Sequence, residues 1–120
     1  MKKVVKIGTV VGPYSPAVIA SGKRIIFVSG QIGTNLETDT AQQTKEALTK
    51  IKDILAEANA ALDSVVKVTV LLADINDFSK MNEVYKTFFS NDPPARAAFQ
   101  VAALPLNAKI EIEAIAILED

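Results

Sequence analysis

The hydrophobic and polar positions along the 120-residue chain follow two periods, which predict six strands and two helices. Apolar residues recur every three or four positions from Ala41 to Leu62 and again from Phe78 to Phe88, and each stripe predicts an amphipathic helix. Alternating or β-branched runs predict strands at residues 3–7, 17–20, 24–29, 65–72, 95–101 and 109–118. The predicted order is therefore β-β-β-α-β-α-β-β.

Turn and capping residues mark the boundaries of these elements. The stretch Gly12-Pro13-Tyr14-Ser15-Pro16 predicts a turn or extended loop, because its two prolines fix φ and remove two N–H donors. Ser21-Gly22-Lys23 favours a hairpin between the second and third strands. Thr40 and Gln43 fit a capping box at the start of the first helix.

Two helices are enough to cover only one face of a sheet. In the last strand one face is apolar throughout, whereas the other carries two glutamates followed by Ile115 and Ile117. The third strand, with Ile25-Ile26-Phe27-Val28, is apolar on both faces and needs cover on both sides. We therefore predict one α+β domain over residues 1–120, with about six strands in a mixed sheet, two helices on one face and a partner subunit on the other.

The composition excludes several kinds of catalytic machinery and several partners. The chain has no cysteine and no histidine, which removes thiolate nucleophiles, Ser-His-Asp triads and the usual zinc ligands. Its net charge of −1 argues against nucleic acid as a partner. No apolar run approaches the ~20 residues of a membrane span, and no apolar stretch typical of a signal peptide follows the first lysines. We therefore expect a cytoplasmic protein without a membrane or nucleic-acid partner.

Three charged residues are candidates for chemistry. Glu111 and Glu113 are two residues apart, so they lie on one face of the last strand, the face expected to meet a partner, where partial desolvation favours acid–base catalysis. The alternative for both is a solvated or salt-bridged carboxylate on a strand edge. Arg96 opens an almost uncharged stretch, and its planar fork suits a carboxylate ligand. The alternative is a surface arginine that pairs with a distant acidic residue.

Two further positions are weaker candidates for ligand binding. Tyr14 lies between two prolines, which present its phenol in a fixed direction, and a packing aromatic is the alternative. Ser29-Gly30 ends a buried strand, where a hydroxyl and a backbone N–H could meet a ligand, and an ordinary strand end is the alternative. The chain contains no phosphate-binding glycine motif.

Five segments, in order, resemble the RidA (YjgF) family. They are Gly12-Pro13-Tyr14, Val28-Ser29-Gly30-Gln31-Ile32, Asp74-Ile75-Asn76-Asp77-Phe78 with Asn82, Pro94-Ala95-Arg96, and Lys109-Ile110-Glu111-Ile112-Glu113-Ala114-Ile115-Ala116. One such segment would be uninformative, whereas five in the family's order, spread over nearly the whole chain, are specific.

The resemblance implies a chorismate-mutase-like fold, a homotrimer with clefts between subunits, and hydrolytic deamination of 2-aminoacrylate and 2-iminobutyrate, products of pyridoxal-phosphate dehydratases. By the family's pattern, Arg96 binds the substrate carboxylate and Glu111 lies near the attacking water. The family positions that bind substrate or shape the cleft fall on Tyr14, Ser29, Gly30, Asn82 and Ala98. No metal or organic cofactor is implied, because an imine is already activated.

Two departures from the family pattern affect the expected substrate range. Arg96 is followed by Ala97-Ala98-Phe99-Gln100, where many members have Ser-Cys-Val-Glu, and the loop over residues 33–40 is a few residues shorter. Other functions stay open: a regulatory protein that binds small carboxylates without turnover, an endoribonuclease or translation inhibitor, and a chaperone-like protein. The presence of both Arg96 and Glu111 favours the enzyme, because a binding protein needs only the carboxylate clamp.

Overall fold

The computed structural model describes residues 1–120 and confirms the predicted order of strands and helices. The elements are β1 (Lys2–Val5), β2 (Ala17–Ala20), β3 (Arg24–Gln31), α1 (Thr40–Glu57), β4 (Val65–Leu72), α2 (Phe78–Phe88), β5 (Ala95–Gln100) and β6 (Ile110–Leu118). Three short 3₁₀ helices lie in the connections, at Leu62–Ser64, Ile75–Asp77 and Pro105–Asn107. Neither long helix combines the length and the apolar character needed to cross a membrane.

The six strands form two sheets, so the predicted mixed sheet and strand count hold but the strands are divided. β3, β6, β4 and β5 lie in that order in a four-stranded sheet, in which only the β4–β5 pair is parallel. β1 and β2 form a separate antiparallel pair.

The predicted hairpin between β2 and β3 is wrong. β2 pairs with β1, and Arg24 of β3 pairs with Leu118 of β6. The turn between β2 and β3 packs against the end of β6: the Lys23 N–H donates a 2.9 Å hydrogen bond to the Leu118 carbonyl, and a Cβ at Gly22 would lie 2.4 Å from the same oxygen. β3 lies at the edge of the four-stranded sheet, where α1 covers one of its apolar faces, and this makes it more stable there than in an isolated two-stranded hairpin.

Both helices pack on one face of the four-stranded sheet and bury the main core, as predicted. This core combines alternate residues of β4 and β6 with the apolar stripes of the two helices. Its fully buried members include Leu48, Ile51, Leu55, Val68, Val70, Met81, Tyr85, Ile110 and Ile112.

The start of α1 differs by one residue from the predicted capping box. Asp39 is the N-cap, and its Oδ1 accepts a 2.9 Å hydrogen bond from the Gln42 N–H. Gln43 is buried, where its Nε2 donates to two carbonyls of the preceding loop and its Oε1 accepts from the Lys109 N–H. The Gln43 side chain therefore ties the loop to the start of β6 and is not available for capping.

The other face of the four-stranded sheet leaves large apolar side chains in solvent. Phe27 is 74% exposed and Ile25 is 57% exposed, and they pair across the ladder with Ile115 and Ile117. The sequence predicts that both faces of β3 are covered, but no element of this chain covers the face that carries Ile25 and Phe27. We call this surface the open face; it carries Ile25, Phe27, Lys67, Thr69, Leu71, Glu111, Glu113, Ile115 and Ile117.

Candidate active site

Arg96 lies on the helix-covered face of the four-stranded sheet. It belongs to the edge strand β5 and pairs in parallel register with Val68, which is fully buried beneath the helices. Because residues paired across a ladder point to the same face, the Arg96 side chain runs beneath α2. There its Nη1 donates a 2.7 Å hydrogen bond to Oδ1 of Asn82.

Three aromatic rings surround the guanidinium of Arg96. Its Cζ lies 4.8 Å from the ring centroid of Tyr85, 5.4 Å from that of Tyr14 and 5.5 Å from that of Phe78. All three distances are within the range of cation–π attraction. We call Arg96, Asn82, Tyr14, Phe78 and Tyr85 the arginine cluster.

Arg96 has no acidic partner within the chain. The three ion pairs of the structure use the cationic groups of Met1, Lys80 and Lys86 instead. Burial lowers the pKa of Arg96, and the nearby Tyr85 and Tyr14 partly oppose this effect. Since a guanidinium starts from a pKa above about 12, it stays charged at neutral pH. A half-buried cation with only neutral neighbours favours an anionic ligand.

The loop before β2 places Tyr14 beside Arg96. The Ser15 N–H donates to the Pro94 carbonyl (3.2 Å) and the Ser15 hydroxyl donates to the Pro93 carbonyl (2.5 Å), so this loop is attached to the segment that leads into β5. The two prolines noted in the sequence therefore stiffen a loop whose position is set by contacts with a distant part of the chain.

Glu111 lies on the opposite face of the sheet from Arg96. It pairs with Leu71 of β4, whereas Arg96 pairs with Val68. Val68 and Leu71 are three residues apart on one strand, so their side chains point to opposite faces. One chain therefore does not bring Arg96 and Glu111 into one cleft.

Ser29 and Gly30 lie on the side of Glu111 and not on the side of Arg96. They lie where the pairing of β3 with β6 shifts register, between Val28 and Gln31. A Cβ at Gly30 would lie only 2.1 Å from Oε2 of Glu111, so the carboxylate occupies the space above this glycine. We call Glu111, Ser29 and Gly30 the glutamate cluster.

Ala98 lies two residues after Arg96 on the same face of β5. It pairs with Val70 and packs against the core. Because β5 is an edge strand, the backbone groups on its outer side have no partner strand and can bind a ligand. The small side chain of Ala98 leaves such a role to the backbone.

The sequence analysis does not identify Phe78 or Tyr85 as candidate site residues. Phe78 appears there in the apolar stripe of α2 and in a family segment, and Tyr85 lies within the same stripe. Tyr85 is fully buried and its hydroxyl has no hydrogen-bond partner, which is unusual for a buried polar group. The spacing of Phe78, Asn82 and Tyr85 by four and three residues places them on one side of the helix, and this was the available signal.

Comparisons with known proteins agree with this arrangement of elements. The bovine and human proteins named 2-iminobutanoate/2-iminopropanoate deaminase are each 50% identical to this chain over 113 residues, which cover 89% of the chain and 81% of the relative. Two solved structures are similar at 38% identity. A putative endoribonuclease from Thermotoga maritima matches with a TM-score of 0.77 over 100% of both chains. RidA from the Antarctic bacterium Psychrobacter matches with a TM-score of 0.76 over 92% of both chains.

A sequence profile of one protein family, described as Endoribonuclease L-PSP, matches residues 6–118. This range includes both the arginine cluster and the glutamate cluster. The resemblance seen in the motifs is therefore confirmed, and the chain belongs to the endoribonuclease L-PSP family, also called the RidA (YjgF) family.

Proposed function

We propose that the chain hydrolyses 2-imino acids and their 2-enamine tautomers, such as 2-iminobutyrate and 2-aminoacrylate, to 2-oxo acids and ammonia. Relatives that are 50% identical over most of the chain carry the name of this activity. Each such substrate combines a carboxylate with an electrophilic C=N carbon. The enzyme thus needs a group that holds the carboxylate and a group that moves protons at the carbon and nitrogen.

The observation that carries this proposal is the state of Arg96. Its guanidinium is half-buried, contacts aromatic rings and a neutral amide, and has no carboxylate within the chain to balance its charge. Nη1 is directed to Asn82, whereas Nη2 and Nε make no hydrogen bond in the chain. These are the donors that an arginine uses for bidentate binding of a carboxylate.

The proposed active site is shared between subunits of a homotrimer. The arginine cluster and the glutamate cluster lie on opposite faces of one sheet, so a complete cleft takes one cluster from each of two neighbouring chains. The open face supports this arrangement, because exposed large apolar side chains such as Phe27 and Ile25 side by side on a sheet are typical of an interface. Glu111 lies on that face and would be enclosed when a neighbour covers it.

In the proposed mechanism, Glu111 takes a proton from a water molecule as the water oxygen bonds to the C2 carbon of the imine. The C=N electron pair moves to nitrogen, Glu111 returns the proton to that nitrogen, and a carbinolamine forms. Glu111 then takes the hydroxyl proton and passes it to nitrogen as the C–N bond breaks, which releases ammonia and leaves the 2-oxo acid. Acid–base assistance of this kind contributes roughly 100- to 10,000-fold to a rate.

We also propose where in the cell the enzyme acts. Imines of this type hydrolyse and react spontaneously, so an enzyme that removes them has to act where dehydratases of amino-acid metabolism release them. We place that encounter in the cytoplasm. The reaction itself needs no metal or organic cofactor, because the C=N carbon is already electrophilic.

A coupled assay tests the proposed function. A threonine dehydratase generates 2-iminobutyrate continuously, and the rate of 2-oxobutyrate appearance is followed with increasing amounts of the purified chain. We expect a concentration-dependent acceleration over spontaneous hydrolysis, which the Arg96→Ala variant at equal concentration does not give. Equal rates with and without the native chain would reject the proposal.

RNA cleavage is less well supported, although the family's description names it. The chain has a net charge of −1 and no basic stripe, whereas RNA binding depends largely on neutralising phosphates. We expect no tight RNA binding at physiological salt. Sub-micromolar binding, or cleavage that is lost in Arg96→Ala or Glu111→Gln, would favour the nuclease.

A further inference from the structure

Two oppositely charged side chains lie at the centre of the open face. Lys67 belongs to β4 and Glu113 to β6, which are the two inner strands of the four-stranded sheet. Lys67 pairs with Ile115, and Glu113 pairs with Thr69. Lys67 and Glu113 are therefore diagonal neighbours on one face of the sheet.

Neither charge is satisfied within the chain. No side-chain hydrogen bond involves Lys67 or Glu113, and neither lies within the 4.0 Å of an opposite charge that would make an ion pair. Both side chains are exposed. They border a depression of about 250 Å³ that is also lined by Phe27, Thr69 and Ile115.

These two charges make it energetically costly for a partner to cover the open face unless the partner pairs with them. Covering the face removes water from Lys67 and Glu113, and a buried charge without a partner costs several kcal/mol. A purely apolar partner is therefore disfavoured. A partner that brings one acidic and one basic group, arranged as they are here, satisfies both charges, and a second copy of this chain brings that pair.

We propose that Lys67 of each subunit pairs with Glu113 of a neighbouring subunit across the open face, and that this pair fixes how the subunits dock. The inference rests on the assembly that is part of the proposed function. It adds the charges that determine the docking register, because a shift of one face relative to the other moves Lys67 away from Glu113 of the neighbouring subunit.

Charge reversal tests this pairing. In Lys67→Glu and in Glu113→Lys every contact becomes repulsive, and we expect the mass measured by light scattering to fall from a multiple of 12.8 kDa towards one chain at the same concentration. The double variant Lys67→Glu/Glu113→Lys restores attraction at every contact and is expected to regain the native mass. Lys52→Glu, which makes the same charge change on the exposed surface of α1, is the matched control and should keep the native mass.

Mixing the two single variants distinguishes pairing between chains from pairing within one chain. If Lys67 pairs with Glu113 of a neighbour, a ring of three that contains both variants has two attractive contacts and one repulsive contact, so mixed assemblies should form. If the pair forms within each chain, mixing changes nothing. Circular dichroism confirms that each variant is folded.

The outcomes separate this inference from the proposed function. The pairing alone is overturned if the native chain is assembled and active and the Lys67→Glu variant is also fully assembled. It is likewise overturned if the double variant stays monomeric, or if the two single variants form no mixed assemblies. A native chain that is monomeric and does not accelerate imine hydrolysis overturns the proposed function as well.

Discussion

The carboxylate of Glu111 lies directly above Gly30, where a Cβ at position 30 would be 2.1 Å from Oε2 of Glu111. Gly30 does not have a positive φ, so the position requires glycine for space and not for backbone conformation. The absence of a side chain at Gly30 thus determines the position of the Glu111 carboxylate, the proposed general base.

Gly30→Ala should displace the Glu111 side chain while keeping the fold. The atoms in the way are the end of a flexible side chain, which can rotate, and not backbone. We expect kcat for 2-iminobutyrate to fall at least about tenfold, since misplaced acid–base groups lose much of their contribution. Calorimetric binding of 2-oxobutyrate should persist, because Arg96 is untouched. A native kcat in this variant would mean that the position of Glu111 is irrelevant to catalysis.

Glu111→Gln should lower kcat by roughly 100- to 10,000-fold, because the amide keeps the shape of the side chain but cannot accept a proton. Binding of 2-oxobutyrate should survive, so the loss appears in kcat more than in KM. If the variant turns over normally, another group activates the water, and Glu113 or a backbone carbonyl near Ala98 is next to be tested.

Arg96→Ala should weaken both 2-oxobutyrate binding and kcat/KM. Removing one member of a buried charge pair typically costs about 2–5 kcal/mol, and the guanidinium is proposed to hold the substrate in the ground and transition states. Arg96→Lys keeps the charge but loses the planar fork, so we expect an intermediate loss. Calorimetry measures the affinity of each variant for 2-oxobutyrate. Native affinity in Arg96→Ala would show that the clamp is misassigned.

Tyr85→Phe should stabilise the protein. The Tyr85 hydroxyl is buried without a hydrogen-bond partner, and such a group typically costs about 1–3 kcal/mol. Phenylalanine removes the hydroxyl and keeps the ring that packs on Phe89 and lies beside Arg96. Denaturant titration of both proteins at neutral pH checks this, and a lower free energy of unfolding in Tyr85→Phe would show that the hydroxyl has an unrecognised partner.

The same variant should be less sensitive to alkali. Burial raises the pKa of Tyr85 above its usual value near 10, and the charge of Arg96 only partly offsets this effect. Above pH 10 the unfolded chain releases this proton and the folded chain retains it, so the free energy of unfolding falls as pH rises. Tyr85→Phe lacks this loss, and the difference between the two proteins should grow above pH 10.

The order of elements could be predicted because it depends on residues close together in the sequence. The stripe that contains Leu48 and Leu55 is buried in α1 as its spacing indicated. Pairing of strands depends on distant residues, and here local signals misled. Ser21-Gly22-Lys23 is a plausible hairpin turn, yet β3 gains more by pairing along its length with β6, where position 24 meets position 118.

The face that Arg96 occupies could not be predicted from β5 alone. Ala95, Ala97 and Ala98 are small and apolar on both sides of the strand, so its sequence does not distinguish the core face from the other. The face follows from the register with Val68, which is fixed only when the sheet forms. The family resemblance points to Arg96 and Glu111 but does not give the face of the sheet that each occupies, and the structure places them on opposite faces.

The placement of Arg96 and Glu111 on opposite faces makes the proposed catalysis open to complementation between inactive proteins. Arg96→Ala retains the glutamate cluster, and Glu111→Gln retains the arginine cluster. A trimer that contains both variants has one cleft in which a native Arg96 meets a native Glu111. This holds whether the trimer has two copies of Arg96→Ala or two copies of Glu111→Gln. After subunit exchange, the mixture should therefore recover activity that neither variant has alone, whereas a site contained within one chain would stay inactive in any mixture.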